Sequence, residues 1–294
     1  MVIEEIVINP YSIIKDETTD VSTQEQVAFC IRYVYRGETK ERFIKFNVTA
    51  STTGKALELE IIETLQQLGL SGNYLVGQAY DGASNMSGRY NGVAALVRAK
   101  FSKAIYIHCY AHRLNLALQA ACSAITEIRN ALGTINSVYS FIGASAKRHM
   151  LFKDIATLGE CYLSLKVLSE TRWASRKHSF TAMKFTYSSV LKCLKKIDEE
   201  DKSKAGANAK SLSIAINQFE YLFVVYMLTE IFNITGNLSQ ALQEVELDVI
   251  SAQNMVESTL SALEEVRNSD KFEVMYNECI QLNRFNFNKI LMNV

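Results

Sequence analysis

The chain has 294 residues, enough for one large or two ordinary domains with a substantial core. Its 48% of apolar residues are typical of a globular protein, and a formal net charge of +0 excludes a global field that would steer it to nucleic acid. A single proline favours uninterrupted helices, and six scattered cysteines without a recognisable secretion signal favour reduced thiols. The sequence contains no run of about 18 apolar residues that would predict a membrane span.

Three strands are predicted in the N-terminal part of the chain. Residues 11–14 form a short apolar run that ends in an acidic turn at residues 15–20. Residues 26–35 and 41–48 alternate between apolar and polar side chains and are separated by a turn at residues 36–38. Because the connections are short, the three strands predict an antiparallel meander.

From residue 53 the apolar period becomes helical, and Gly69 marks the predicted end of this helix. A strand at residues 74–80, a helix at 92–101, a strand at 104–107 and a helix at 113–121 follow. The order is three strands, helix, strand, helix, strand, helix. It predicts an α/β mixed sheet with helical crossovers and is the order of a ribonuclease-H-like fold.

Two aspartates follow strands that this order places side by side in the middle of the sheet. Asp16 is predicted at the C-terminal end of the first strand and Asp81 at that of the fourth. Magnesium prefers oxygen ligands, and two metal ions about 3.5–4 Å apart can bind both reacting oxygens of a phosphoryl transfer. Either aspartate could instead be a turn or helix-cap residue. Asp20 could also replace Asp16 as the ligand.

The remainder of the chain is predicted to be helical almost throughout. Residues 199–211, charged and rich in small side chains, are interpreted as a linker. A basic segment at residues 176–196 carries three interleaved aromatic residues. Other apolar or amphipathic patterns cover residues 125–144, 151–168, 212–242, 249–266 and 272–282.

A Cys-x-x-His motif follows the last predicted strand. Cys109 and His112, with His108 beside them, supply only half of a tetrahedral zinc site. We therefore favour a structural role, in which a buried cysteine and a hydrogen-bonded histidine close the corner between strand and helix.

The single tryptophan, Trp173, lies in a basic neighbourhood. A lone tryptophan is more often a core residue than a stacking platform. Its basic neighbours favour a DNA-facing surface; they are Arg172, Arg176, Lys177 and His178.

Four motifs in this order resemble the catalytic region of hAT-superfamily transposases. They are DETTDVSTQEQVAFCIRYV, GQAYDGASNMSG, HCYAHRLNLAL and SETRWASR. The chain is most similar to the branch with a DUF4371 domain, found in zinc finger MYM-type protein 1-like and transposase-derived repressor-like proteins. The resemblance implies a ribonuclease-H-like core at residues 1–122 and an incomplete all-helical insertion at residues 123–294.

The resemblance also implies roles for individual residues. Asp16 and Asp81 match the first two catalytic acids, which would bind Mg²⁺ or Mn²⁺. Cys109 and His112 match the family's Cys-x-x-His signature. The DNA-contacting Arg-Trp pair is matched by Arg172 and Trp173, with Arg176 and Lys177 as further predicted DNA contacts.

The chain departs from the family pattern in two places. No residue matches the family's third acid, which is a glutamate in a motif resembling S-x-x-E-R-x-F-S near a dimerisation region. No segment matches the family's N-terminal BED-type or TTF-type zinc finger. We therefore expect a nuclear, DNA-binding fragment truncated at both ends, with weak metal binding and incomplete catalytic machinery. Expected partners are transposon-end-like DNA and, through regions absent here, a second copy, but no membrane. The alternative is an active transposase within a longer chain.

Overall fold

The computed structural model describes residues 2–6, 9–19, 25–48, 51–158, 163 and 173–291. The chain divides into two compact units. The first contains Met1–Leu116 and Leu242–Asp248, and the second contains Ala117–Ala241 and Val249–Val294. Each unit has its own apolar core.

The first unit is a five-stranded mixed sheet with helices. Its elements in chain order are α1 (Val2–Ile6), β1 (Tyr11–Thr19), β2 (Glu25–Tyr35), β3 (Glu38–Val48), α2 (Gly54–Gln67), β4 (Leu75–Tyr80), α3 (Ser84–Ser87), α4 (Val93–Lys100), β5 (Ile105–His108) and α5 (Tyr110–Ala124), which continues into the second unit. The strand order is β3-β2-β1-β4-β5, with an antiparallel meander on one side and parallel β1, β4 and β5 on the other. The predicted α/β class and the adjacency of the first and fourth strands are confirmed.

Helix α2 forms where the sequence pattern places it. The Thr53 hydroxyl accepts a hydrogen bond from the Ala56 amide at its N-terminus (3.4 Å). Gly69, with a φ of 66°, follows its C-terminus, and the Leu70 amide donates back to the Leu65 carbonyl (2.9 Å). Three leucine and isoleucine side chains on one face are fully or almost fully buried in the first core: Leu57, Ile61 and Leu65.

Strand β1 is longer than predicted. The acidic turn expected at residues 15–20 is strand as far as Thr19, because Asp16 pairs with Ala28 and Thr19 with Glu25 across to β2. Asp16 therefore lies inside β1 and not at its C-terminal end. Pairing with a distant segment decides this stretch, whose local composition favours a turn.

The second unit is all helical. Its further elements are α6 (Thr126–Gly143), α7 (Ala146–Leu158), α8 (Trp173–Glu200), α9 (Lys204–Ile216), α10 (Phe219–Ala241), α11 (Val249–Val266) and α12 (Ser269–Leu291). Buried side chains from α6, α8 and α10 supply most of its core, including an edge-to-face pair of Phe180 and Phe232 with ring centroids 5.0 Å apart. An all-helical second part was predicted. The domain boundary at residue 122 stays a prediction.

The predicted linker at residues 199–211 is wrong. Helix α8 reaches Glu200 and α9 begins at Lys204, so a short turn joins them. The Ser203 hydroxyl accepts the Ala205 amide (3.1 Å) as the N-cap of α9. Gly206 is buried so tightly that a Cβ there would lie 1.7 Å from the Asp201 carbonyl oxygen. The small residues that suggested a linker instead allow the two helices to approach closely.

Helix α10 is long and apolar enough to cross a membrane by length and composition alone. Half of its most apolar window is buried within the protein. Leu222, Val225 and Phe232 have no exposed surface and belong to the core of the second unit. These features are those of a core helix of a folded unit, and such a helix can be as long and as apolar as a membrane span.

Candidate functional site

The two candidate catalytic aspartates occupy equivalent backbone positions on neighbouring parallel strands. Ile14 of β1 pairs with Ala79 of β4, and Asp16 and Asp81 each follow two positions later. The two backbones therefore reach the same level of the sheet next to each other. The Asp16 side chain and Asp20 lie outside the described residues, so the predicted approach of the two carboxylates stays a prediction.

The Asp81 turn is held by hydrogen bonds from two directions. The Asp81 Oδ1 atom accepts a hydrogen bond from the Ala83 amide (3.1 Å), which is the geometry of an Asx turn. The Tyr106 hydroxyl, from β5, donates to the Asp81 carbonyl oxygen (2.8 Å). Burial raises the pKa of Tyr106, and the charges of Asp81 and Cys109 raise it further. Tyr106 is thus a stable neutral donor that fixes the backbone of the aspartate.

A histidine lies directly against the residue that follows Asp81. A Cβ at Gly82 would be 2.4 Å from Cε1 and 2.7 Å from Nε2 of His108, so only glycine permits this contact. The ring centroid of His112 lies 5.4 Å from that of His108. Burial lowers the pKa of His108, as do His112 and Arg113, whereas Asp81 opposes the shift. Burial of the ring therefore favours the neutral imidazole of His108.

The corner between β5 and α5 is closed by the backbone of Cys109. Its amide donates to the Tyr80 carbonyl oxygen (3.0 Å), and its carbonyl accepts the Arg113 amide of α5 (3.0 Å). The prediction that this cysteine is buried is wrong, because its side chain is exposed. Since backbone groups make the closing hydrogen bonds, the thiol is left at the surface.

The residue before Asp16 anchors β1 to α2. The Lys15 side chain is fully buried and its Nζ forms an ion pair with Glu60 Oε2 (2.9 Å). Asn47 of β3 donates a hydrogen bond to the other oxygen of the Glu60 carboxylate. A buried ammonium needs such a partner. This pair fixes β1 immediately next to the first candidate aspartate.

The predicted DNA-contacting residues lie at and before the start of α8. Arg172 and the Trp173 side chain are outside the described residues. Arg176 is 8% exposed, and its charge acts on the thiol of Cys122, whose pKa burial raises and Arg176 lowers. Lys177 Nζ contacts Asn237 Oδ1 of α10 at 3.3 Å. The structure thus gives Arg176 little surface for phosphate, and Lys177 more.

Of the aromatic residues interleaved in the basic segment, two are core residues. Phe180 and Tyr187 are buried in the second unit, whereas Phe185 is 60% exposed. Their spacing follows the helix period: the first two lie seven positions apart on the inner face of α8, and Phe185 falls on the outer face.

Comparisons with known protein families match both units. Residues 1–92 match the family described as DUF4371, the ZMYM1/FAM200 RNase-like domain. Residues 107–218 match the ZBED1 RNase-like helical domain. Both matched families are RNase-like, and together they cover most of the chain. The resemblance seen in the four sequence motifs is confirmed, and the RNase-like description agrees with the observed sheet.

The curated relatives of this chain include proteins named as repressors. The human protein named 52 kDa repressor of the inhibitor of the protein kinase is 26% identical over 270 residues, which are 87% of this chain and 35% of that protein. The mouse protein of the same name is 25% identical over 268 residues, with the same shares. The chain therefore spans about a third of the length of these relatives.

The chemistry of the two aspartates suits a hard divalent cation. Carboxylate oxygens are the ligands that Mg²⁺ and Mn²⁺ prefer. Among the residues whose side chains the structure describes, no group of three or more His, Cys, Asp or Glu is placed to hold a metal ion. Asp16, whose side chain is outside that set, and Asp81 remain the predicted ligands.

Two residues that contact the Asp81 turn were not assigned to it from the sequence. Tyr106 and His108 lie two positions apart on the same face of β5, and both contact the turn that follows β4. The parallel pairing of Gln78 with Tyr106 and of Tyr80 with His108 brings them there. The sequence signal that could have identified them is a polar residue near the end of β5, the strand next to the one that Asp81 follows.

Proposed function

We propose that this chain is a nuclear DNA-binding module derived from an hAT transposase, with an incomplete catalytic site. The observation that carries the proposal is the equivalent placement of Asp16, inside β1, and Asp81, directly after the parallel strand β4. The matches to two RNase-like families support this interpretation of the placement. The word repressor in the names of the human and mouse relatives supports a role in the nucleus that does not depend on DNA cleavage.

The two carboxylates would hold Mg²⁺ or Mn²⁺ weakly. A bound ion would supply electrostatic stabilisation to a phosphate group of DNA. Asp81 is oriented by the Ala83 amide and its backbone by Tyr106, which supports its proposed role as the second ligand. Two carboxylates under-coordinate a second ion, and the charge that develops in phosphoryl transfer is then poorly stabilised, at a cost of about 10²-fold or more in rate.

DNA affinity would come from the start of α8 and does not need the metal. Arg172 and Lys177 supply positive charge for phosphates, and Trp173 supplies a surface on which an unpaired base can stack. Arg176 is expected to contribute least to direct contact, because its side chain is buried. Affinity of this kind falls with salt because binding releases counterions from DNA.

The test is a pair of assays on the purified chain. We expect no cleavage or strand transfer of hairpin, flapped or duplex DNA in Mn²⁺, together with DNA binding that weakens as salt rises. Cleavage that disappears in Asp16→Asn would overturn the incomplete-site proposal. It would mean that a glutamate of this chain completes the site, and residues 257–265 are the first place to look.

The alternative function is an active transposase within a longer polypeptide. It is favoured by one observation, that the curated relatives are about three times as long as the aligned region. A coding sequence that continues past residue 294 into a motif resembling S-x-x-E-R-x-F-S would restore the third acid. Cleavage by that longer protein, lost in Asp81→Asn, would establish this alternative.

A further inference from the structure

We infer that His108 is a positioning residue for Asp81, and that its packing on Gly82 gives the Asp81 turn its fixed geometry. The inference deepens the proposed metal-binding role of Asp81 and rests on it for its metal-dependent part. It also assigns a role to the Cys-x-x-His motif, whose histidine packs near His108. Neither histidine is needed as a metal ligand in this arrangement.

The His108 ring packs directly against Gly82. Gly82 follows Asp81 directly, and the space that its Cβ would occupy is filled by the His108 ring, with Cε1 at 2.4 Å and Nε2 at 2.7 Å from that point. The Nε2 atom is buried and has no hydrogen-bond partner among the described residues. A buried polar atom without a partner is unfavourable. Shape and packing, and not a hydrogen bond at Nε2, therefore hold the ring in this position.

The second step is the support behind the ring. His112, in the first turn of α5, lies with its ring centroid 5.4 Å from that of His108. Helix α5 is fixed at its start by the Cys109 backbone, which bonds to Tyr80 at the end of β4. The ring of His108 thus lies near both the hydrogen-bonded strand–helix corner and the Asp81 turn.

The third step is what this arrangement fixes. Three contacts converge on the same turn: the Tyr106 hydroxyl on the Asp81 carbonyl, the Ala83 amide on Asp81 Oδ1, and the His108 ring on Gly82. The first two orient single atoms, whereas the ring restricts the path of the backbone. Residues that orient a metal ligand typically change metal affinity by about 10–100-fold when they are replaced.

The test uses the whole chain, three variants and two matched controls. His108→Ala removes the ring, Gly82→Ala inserts a methyl group into it, and the double variant does both. His149→Ala on α7 and Gly133→Ala on α6 are matched controls, because His149 is exposed and a Cβ at Gly133 would meet nothing within 4 Å.

Two measurements separate positioning from general stability. Hydrogen exchange of the Ala83 amide reports the Asx turn without any metal. We expect it to be faster in His108→Ala and in Gly82→Ala, with unchanged exchange in the helical unit. Paramagnetic broadening of amide signals by Mn²⁺ detects weak binding. We expect both variants to bind Mn²⁺ about tenfold or more weakly, and the double variant to be no weaker than His108→Ala alone, because the two changes break one contact.

Each other outcome is informative. Wild-type exchange of Ala83 in His108→Ala, or losses that add in the double variant, would overturn the inference. Failure of both single variants to fold, while the two controls fold, would replace positioning by a purely structural role. Absence of Mn²⁺ broadening in the wild-type chain would count against the proposed metal site alone, since the Ala83 measurement needs no metal.

Discussion

A buried carboxylate on α2 offers a quantitative test of how the first unit is held together. Glu58 has a side chain only 1% exposed and forms ion pairs with Lys55 of the same helix (2.9 Å) and Lys100 at the end of α4 (2.7 Å). Burial alone would raise the pKa of Glu58, but the ion pairs with Lys100 and Lys55 outweigh it and lower the pKa. The fold therefore stabilises the charged form.

We predict that Glu58→Gln lowers the free energy of unfolding of the first unit by about 1–2 kcal/mol at pH 7. A hydrogen bond to a charged group contributes about 1.5–3 kcal/mol. The lysine side chains are 71% and 48% exposed, so solvent screens both pairs and the lower part of that range applies. Glu63→Gln, on the exposed side of α2, is the control and should change stability by less than about 0.5 kcal/mol.

Native-state hydrogen exchange of the α2 amides in urea measures this unit by itself. Because the pKa of Glu58 is lowered in the fold, its contribution is present above the ordinary value of 4.5 and is lost as pH falls through the folded pKa. The wild-type chain and Glu58→Gln should therefore converge in acid. A difference that is equal at pH 7 and in acid, or absent at pH 7, would refute the role of these ion pairs.

Three further predictions concern other parts of the chain. Trp173→Ala should weaken binding to hairpin or flapped DNA more than to plain duplex in a gel-shift titration, and equal losses would return Trp173 to the core. Gly206→Ala should lower the midpoint of urea unfolding, at a cost of about 1–3 kcal/mol, because its Cβ meets the Asp201 carbonyl; Gly133→Ala should not, and a wild-type midpoint for Gly206→Ala would contradict this packing. Tyr80→Phe should raise the free energy of unfolding by up to about 1 kcal/mol in the same assay, because the buried hydroxyl has no partner among the described residues, and a loss of stability would reveal one.

The sheet could be predicted because its signals are local and repeated. Alternation in the strands and the helical period of α2 identified the elements, and their order then determined that β1 and β4 are neighbours. The extent of β1 could not be predicted, since residues 15–19 favour a turn locally and become strand only by pairing with β2. The level of Asp16 in the sheet follows from that pairing.

In the helical unit, residue composition led to wrong predictions. Small and charged residues around Gly206 indicated a linker, but the same composition allows α8 and α9 to pack closely. Arg176 stands in a basic segment and is nevertheless buried beside Cys122, because helix rotation and not composition decides which side chains face the core. The exposure of the Cys109 thiol was missed because backbone groups, and not the side chain, close the corner between β5 and α5.

The central claim, that Asp16 and Asp81 form one metal-binding pair, is tested most directly by calorimetric titration of Mn²⁺. The account predicts weak binding by the wild-type chain, loss in both Asp16→Asn and Asp81→Asn, and no loss in Asp154→Asn on the exposed side of α7. Asp20→Asn decides between the two candidates for the first ligand. The carboxylates of a functional pair would lie within about 4–8 Å of each other, close enough to share an ion. Unchanged Mn²⁺ binding in Asp81→Asn would contradict the account.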